Sequence, residues 1–359
     1  MTFSGAGYSL SGAQINLSTT AGNAPQISAT HSSGISTVGL AVQLLQNATF
    51  SCASSGTLRF STPALAPVGL GNFTLLFNSN GLIEMNSPIS GAGGIAVAGS
   101  GIVRLIPDQP FQGAVALTGG TLIVNGTLNT QQSVTGAAAS MLGGTGTLSG
   151  NLSSSGVIAP GDGGVGRFSV KGSFQFGNVT TSKLRLELGS PTDGGTTYDQ
   201  LNCFGSAALG SNATLELTAL STFNPAPGSV YTLINQSGSA LMTGSFRGLP
   251  QGQIIKVGTK NLLISYTGGT GNDLTATVVG MDAIITSFNT APAVGGRRIT
   301  ATVSGGAGAA GGKLLWQTST TLSGWTTLTS VFADGSGNAV IDFLDPSPGD
   351  RHFYRGNFE

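Results

Sequence analysis

From Thr2 to about residue 160 the hydrophobic positions come in short alternating runs, separated by Gly, Asn and Ser. VGLAVQLL, ATFSC, GTLIV and GTGTL each alternate with a period of two, which is the pattern of strands rather than helices. Leu40, Val42 and Leu44 fall on one face, and Phe50 and Cys52 on another. Strands this short cannot build a core alone, so they must stack on copies of themselves. With Gly56, Gly81, Gly101, Gly120 and Gly144 as markers of repeat starts, the gaps are 25, 20, 19 and 24 residues. A helix-free repeat of that length predicts one coil of a parallel β-helix, with glycines at corners that need unusual backbone angles. Pro107 and Pro110 mark a bend between strands.

The strands lengthen over residues 161–279. KLRLELG places Leu184, Leu186 and Leu188 on one face, with Lys183, Arg185 and Glu187 on the other; ATLELTAL places Leu215 and Leu217 inside and Glu216 outside. The pattern changes again over 281–359. Both tryptophans, Trp316 and Trp325, lie there, and longer strand-like runs are separated by DGSGN and DPSPGD turns. That segment predicts a small fibronectin-III-like β-sandwich, with SGGAGAAGG at 304–312 as a hairpin loop. The expected organisation is a solenoid over 1–279, as a short-rung array (1–160) and a longer-strand end (161–279), followed by a module over 281–359.

Composition sharpens this picture. Charged residues are 8% of the chain, against about 25% in ordinary globular domains. There are 58 glycines in 359 residues without a collagen period, and 39% of residues are hydrophobic, so the chain is neither collagen-like nor disordered. Residues 1–58 hold no Asp, Glu, Lys or Arg, and formal net charge is zero. No basic patch exists for nucleic acid, and self-association meets little charge repulsion. Cys52 and Cys203 are too few for a disulfide framework and are expected as buried thiols. No run is long and apolar enough for a membrane helix, and MTFSGAGYSL has neither the basic start nor the apolar stretch of a signal peptide. Thr2-Phe3-Ser4-Gly5 reads as the interior of a repeat, as in a trimmed product.

Little chemistry is on offer. Lys183, Arg185, Glu187 and Glu216 are the richest charged group, and their outward alternation suits a surface charge ladder better than a carboxylate-lined active site. Asp162, Asp193 and Asp199 lie at glycine turns. The two histidines, His31 and His352, are far apart, and no nucleophile elbow, zincin or phosphate-loop motif occurs. The chain therefore reads as a non-enzyme without cofactors. Calcium has two weak candidates: Asp273, in a single GGTGND turn of the kind that binds calcium when repeated, and Asp334, with Asp345 and Asp350 nearby. The sequons at Asn16, Asn47, Asn72, Asn125, Asn151, Asn178, Asn212 and Asn235 follow from a composition rich in Ser, Thr and Asn.

The ordered motifs LTGGTLIVNGTL, LGGTGTLSGNLSSSGVIAPGDGGVGRFSVKG, TTYDQLNCFGSAALGSNATLELTAL and GSVYTLINQSGSALMTGSFRGLPQGQIIKVGTKNLLISYTGGTGNDLTATVV resemble the autotransporter-associated β-strand repeat region of bacterial passenger proteins. The resemblance runs from about Gly91 to Val279. It implies a right-handed parallel β-helix displayed outside the cell. The module over 281–359 resembles domains appended to such repeats in secreted bacterial proteins; it is too short to be a membrane β-barrel translocator.

The resulting expectation is an extracellular structural protein, secreted or on a bacterial surface, that forms fibres by head-to-tail stacking of solenoids. Thr2, Phe3 and Tyr8 at one end and Phe353, Tyr354 and Phe358 at the other are the assembly candidates. The alternative is a monomeric adhesin that contacts a surface glycan or protein, with Trp325 as a candidate contact. A polysaccharide-acting enzyme is a remote third reading. No nucleic-acid partner and no membrane span are expected.

Overall fold

A computed structural model describes residues 1–19, 22–53, 55–62, 67–279, 281–282, 284–304, 313–319, 326–335, 337–345 and 353–358. Its regular structure is entirely β among the described residues, and no helix is long and apolar enough to cross a membrane. The chain divides into two compact units. The first comprises Met1–Asn224, Tyr231–Gln253 and Ile264–Ala276, and the second Pro225–Val230, Ile254–Leu263 and Thr277–Glu359.

The first unit is a three-faced parallel β-helix. One ten-stranded sheet takes the first strand of each coil, from Thr2–Phe3 to Ala207–Ala208; a second takes the next strand, from Ser9–Leu10 to Thr214–Ala219. The third face starts as a four-stranded sheet from Ile15–Leu17 to Ile89–Ser90. It continues through the bridges Gly91↔Phe111 and Gln109↔Leu128 into the sheet that begins at Thr127–Leu128. Short runs of alternating residues form these faces because each strand finds both hydrogen-bonding partners in the coils before and after it.

The inward positions line up in apolar files. On the first face Ala48, Leu75, Ile95, Val115, Val134, Leu152, Phe174 and Ala207 are in register and buried. On the second face Leu58, Ile83, Val103, Leu122, Leu142, Ile158 and Leu184 do the same. Phe50 stacks on Phe60 at 4.4 Å and meets Phe77 edge-on at 5.9 Å. Each such side chain contributes about 1.5–3 kcal/mol by burial. Both cysteines are free and buried among these files.

Three features depart from the sequence reading. Register partners are separated by 16 residues (Met141↔Val157) to 33 residues (Phe174↔Ala207), a wider range than 20–25. The longest coil carries an extra loop that closes on a Leu188↔Tyr198 bridge. Gly144 does not begin a coil: it ends strand Ser140–Gly144, and Ser140 is the partner of Gly120. GGTGTL imitates a repeat start because Gly144 is a glycine for another reason. Its φ of 114° serves an antiparallel bridge to Gly161. Gly81 and Gly101 are true corner residues; a Cβ on Gly101 would stand 2.2 Å from the Gly81 carbonyl oxygen. Leu215 and Leu217 are only half-buried, because Thr214–Ala219 is the last strand of its sheet.

The second unit holds two antiparallel sheets. One orders Met281–Asp282, Phe353–Phe358, Lys313–Ser319 and Thr326–Phe332; the other orders Ile284–Ala293, Gly296–Ser304 and Asn338–Asp345. Ile299, Ala301, Val303, Ala339 and Ile341 from the second sheet pack with Leu314 and Trp316 from the first, which makes a sandwich core. Trp316 is fully buried and stacks on Tyr354, with ring centroids 5.9 Å apart. Trp325, His352, Asp350 and the 305–312 part of the glycine-rich loop lie outside the described residues.

Candidate binding surface

The outward file of the second face carries most of the charge chemistry. Arg59, Glu84, Arg104 and Ile123 are register neighbours on successive coils. Arg59 Nε donates to Glu84 at 2.5 Å, and Arg104 lies 3.9 Å from the same carboxylate. The loop after Val157–Pro160 then reaches back. Asp162 accepts from Arg104 Nη2 at 2.7 Å and from Asn125 Nδ2 at 2.8 Å. Two Gly144–Gly161 backbone hydrogen bonds fix the loop's base. Burial alone would raise the Asp162 pKa; the Arg104 and Asn125 hydrogen bonds and the Arg104 charge outweigh it and hold the carboxyl below its usual value. Asp162 is thus a clasp across coils rather than a plain turn residue. Its partners are 58 and 37 positions away, so no local pattern announces it.

Further along this surface Lys183 Nζ and Arg185 Nε both bond Glu216, at 2.5 and 3.2 Å. These hydrogen bonds, that from Lys183 foremost, lower the Glu216 pKa. Glu187 does not join them. Its backbone N–H donates to Asp199 Oδ2, while Gly166 N–H donates to Oδ1, both at 2.8 Å. Asp199 is 2% exposed, and burial pushes its pKa up to about 7 against those two bonds. Such a pKa is what a general acid needs. Here, however, both oxygens face backbone donors in the interior, which suits a staple better than a reactive group. Asp193 contacts Arg167 at 3.3 Å.

His31 is buried and links Ser33 and Ser36: Nδ1 lies 2.9 Å from the Ser33 carbonyl oxygen and Nε2 3.0 Å from Ser36 Oγ. The calcium candidates hold their own turns. Asp273 accepts from Gln236 N–H at 2.7 Å and Thr270 N–H at 3.0 Å. Asp334 accepts from Asn338 N–H at 2.9 Å. Among the described residues no group of three or more His, Cys, Asp or Glu side chains converges.

The assembly candidates occupy different settings. Thr2 and Phe3 pair with Ser28 and Ala29, so Phe3 turns inward and is buried, while Tyr8 is 57% exposed. Tyr354 packs on Trp316 and donates its hydroxyl to Asp345. The side chains of Phe353 and Phe358 lie outside the described residues.

Sequence reading missed a recurrent coil-to-coil hydrogen bond. Asn47, Asn80, Asn125, Asn151 and Asn178 accept the backbone N–H of Thr74, Ser100, Thr145, Ser173 and Asn212, each one coil on, at 2.8–3.2 Å. Four of these asparagines are sequon residues. The signal was an Asn recurring after successive strands.

No family model matches the chain. It is similar to the adhesin BmaC autotransporter of Brucella suis biovar 1 (strain 1330), with 30% identity over 257 residues, covering 67% of this chain. The match spans only 7% of that adhesin's length. The chain is therefore like a small part of an autotransporter adhesin, which is consistent with a surface or secreted protein.

Proposed function

We propose that the chain is an adhesin-type segment of a bacterial surface or secreted protein, with the autotransporter-associated type of β-strand repeat. The β-helix acts as a stiff scaffold that carries neutral binding groups along its side. The observation that carries this reading is the similarity to an autotransporter adhesin across most of the chain. The non-catalytic part rests on chemistry: Asp162, Asp199 and Glu216 are each engaged by the protein's own donors. This reading stands ahead of fibre growth by end-to-end stacking, for which the comparison offers nothing.

The test uses beads coated with the full chain and a panel of host and bacterial cells, with light scattering on the same preparation. Saturable adhesion by a monodisperse monomer is expected. Absence of adhesion to every cell type, or a mass that climbs with concentration, would overturn the adhesin reading, the second outcome in favour of the fibre.

A further inference from the structure

Three depressions, of about 520, 510 and 530 Å³, lie along one corner of the solenoid, where the third face turns into the first. None has a charged side chain in its lining. The first is lined mostly by glycine and alanine, together with Asn72, Thr74, Ile95 and Gln132. In the second the walls include Gln112, Asn129, Gln131 and Asn151. Among the described residues, the carboxamides of Gln112, Gln131 and Gln132 make no hydrogen bond to protein.

The third depression holds a sharper anomaly. Gln236 continues the inward file Leu128, Leu148, Val170, Cys203, where an apolar residue would fit. It is 1% exposed and lines the depression. Its Nε2 donates to the Gly205 carbonyl, which fixes the orientation of the amide, and Oε1 is left without a partner. Asn86 and Asn202 also leave a buried Oδ1 without a partner, but neither lines any of the three depressions, and the buried Gln109 and Gln200 use both ends. Gln109 accepts from Ile89 N–H and donates to the Pro107 carbonyl; Gln200 accepts from Arg167 and donates to the Thr232 carbonyl. A buried acceptor without a donor is rare enough to need a reason. Beside it, Asn272 Nδ2 ties the Gly238 and Ala240 carbonyls at 2.6 and 3.1 Å. Asn272 and Gln236 line the same depression.

We propose that this corner binds a neutral, linear polysaccharide, with Gln236 Oε1 accepting a sugar hydroxyl and Gln112, Gln131 and Gln132 contacting the chain further along. The proposal rests on the adhesin reading and names its ligand class. A carboxamide offers a donor and an acceptor together, which matches a hydroxyl that does both. Within the depressions the uncharged lining gives no favourable partner to an acidic glycan. Lys171, exposed at the same corner position on a coil between the second and third, is a cation that such a chain would meet, which makes an acidic comparator necessary. The small Gly and Ala residues of the first depression leave room for the apolar face of a pyranose ring, and Leu241, 68% exposed, offers an apolar surface in the third. A peptide adding as a strand finds no edge here, because Ile95–Gly99 is already paired on both sides. Coils repeat at about 4.8 Å, so similar groups recur at roughly the advance of one sugar ring.

Isothermal titration of the full chain with neutral hexasaccharides (cello-, malto-, laminari- and chito-series) and with oligogalacturonate as the acidic comparator tests this. A neutral hexasaccharide is expected to bind. The triple variant Gln112→Ala, Gln131→Ala, Gln132→Ala should weaken it by about tenfold, the equivalent of one net hydrogen bond. Gln236→Leu should do the same; if that variant does not fold, the exposed triple variant decides alone. Binding of oligogalacturonate only, of no glycan, or of a neutral glycan that the triple variant binds equally well would overturn the proposal. Cell adhesion that persists without glycan binding would sink the glycan corner and leave the adhesin reading intact. Glycan binding without cell adhesion would do the reverse.

Discussion

The two units bury apolar surface in opposite ways. In the β-helix each inward side chain meets its counterpart one coil away, as Phe77 lies in register with Phe50 on one side and Val97 on the other. In the sandwich, Trp316 packs in one cluster with residues from Ile299 to Ile341, drawn from both sheets. The first arrangement adds stability coil by coil, approximately as a sum of nearest-neighbour terms. The second forms or fails as a whole. Identical chemistry, an aromatic ring removed from water, thus has local consequences in one unit and global ones in the other.

Paired core truncations test that contrast most severely. Phe77→Ala and Trp316→Ala should each cost about 3–5 kcal/mol. Hydrogen exchange should quicken after Phe77→Ala only in the coils around residues 48–105, and after Trp316→Ala throughout the sandwich strands. Uniform loosening of the solenoid in the Phe77 variant would break the comparison.

A smaller effect concerns the clasp. Arg104→Ala removes the charged one of Asp162's two partners and should cost about 1–3 kcal/mol near neutral pH. Because Asp162 has a lowered pKa in the folded state, its contribution is present above its unfolded pKa and disappears as pH falls. The difference between Arg104→Ala and the parent in urea unfolding should therefore shrink in acid. Asp199 works with the other sign. Its pKa rises from 3.8 to about 7 on folding, so the folded state keeps a proton that the unfolded chain releases. Stability from this group falls as pH climbs between those values, and Asp199→Asn should flatten that slope in thermal melts from pH 4 to 8.

Two milder substitutions sharpen the coil-by-coil view. Asn151→Ala deprives Ser173 N–H of its acceptor and should cost about 1 kcal/mol, with exchange rising locally at Ser173. Arg185→Ala, at an exposed ion pair, should shift stability by less than about 0.5 kcal/mol. A larger loss would mean that the surface charge ladder, and not the apolar files, holds the late coils.

The fold was legible because alternation and glycine spacing act within a single coil. KLRLELG sends Leu184, Leu186 and Leu188 inward, as read. What escaped was set between coils. Gly144 copies a corner motif while serving a loop bridge. Leu215 loses its cover because its sheet ends there. Asp162 looks like a turn residue until coil stacking brings Arg104 and Asn125 beside it. Gln236 reads as one polar residue among many, and only its register after Cys203 reveals that it occupies a core position.

The asparagine rungs carry a consequence for production of the protein. Asn47, Asn125, Asn151 and Asn178 sit in Asn-x-Ser/Thr triplets because the corner needs an acceptor just before a strand rich in hydroxyl residues. In a yeast or mammalian secretion host, oligosaccharyltransferase would meet these triplets on the nascent chain, before any coil has closed. A glycan attached at Asn125 would occupy the same amide that must later reach Thr145 and Asp162. Material secreted from such hosts should fold poorly unless these sequons are removed at the hydroxyl residue, which leaves the asparagine free to make its rung.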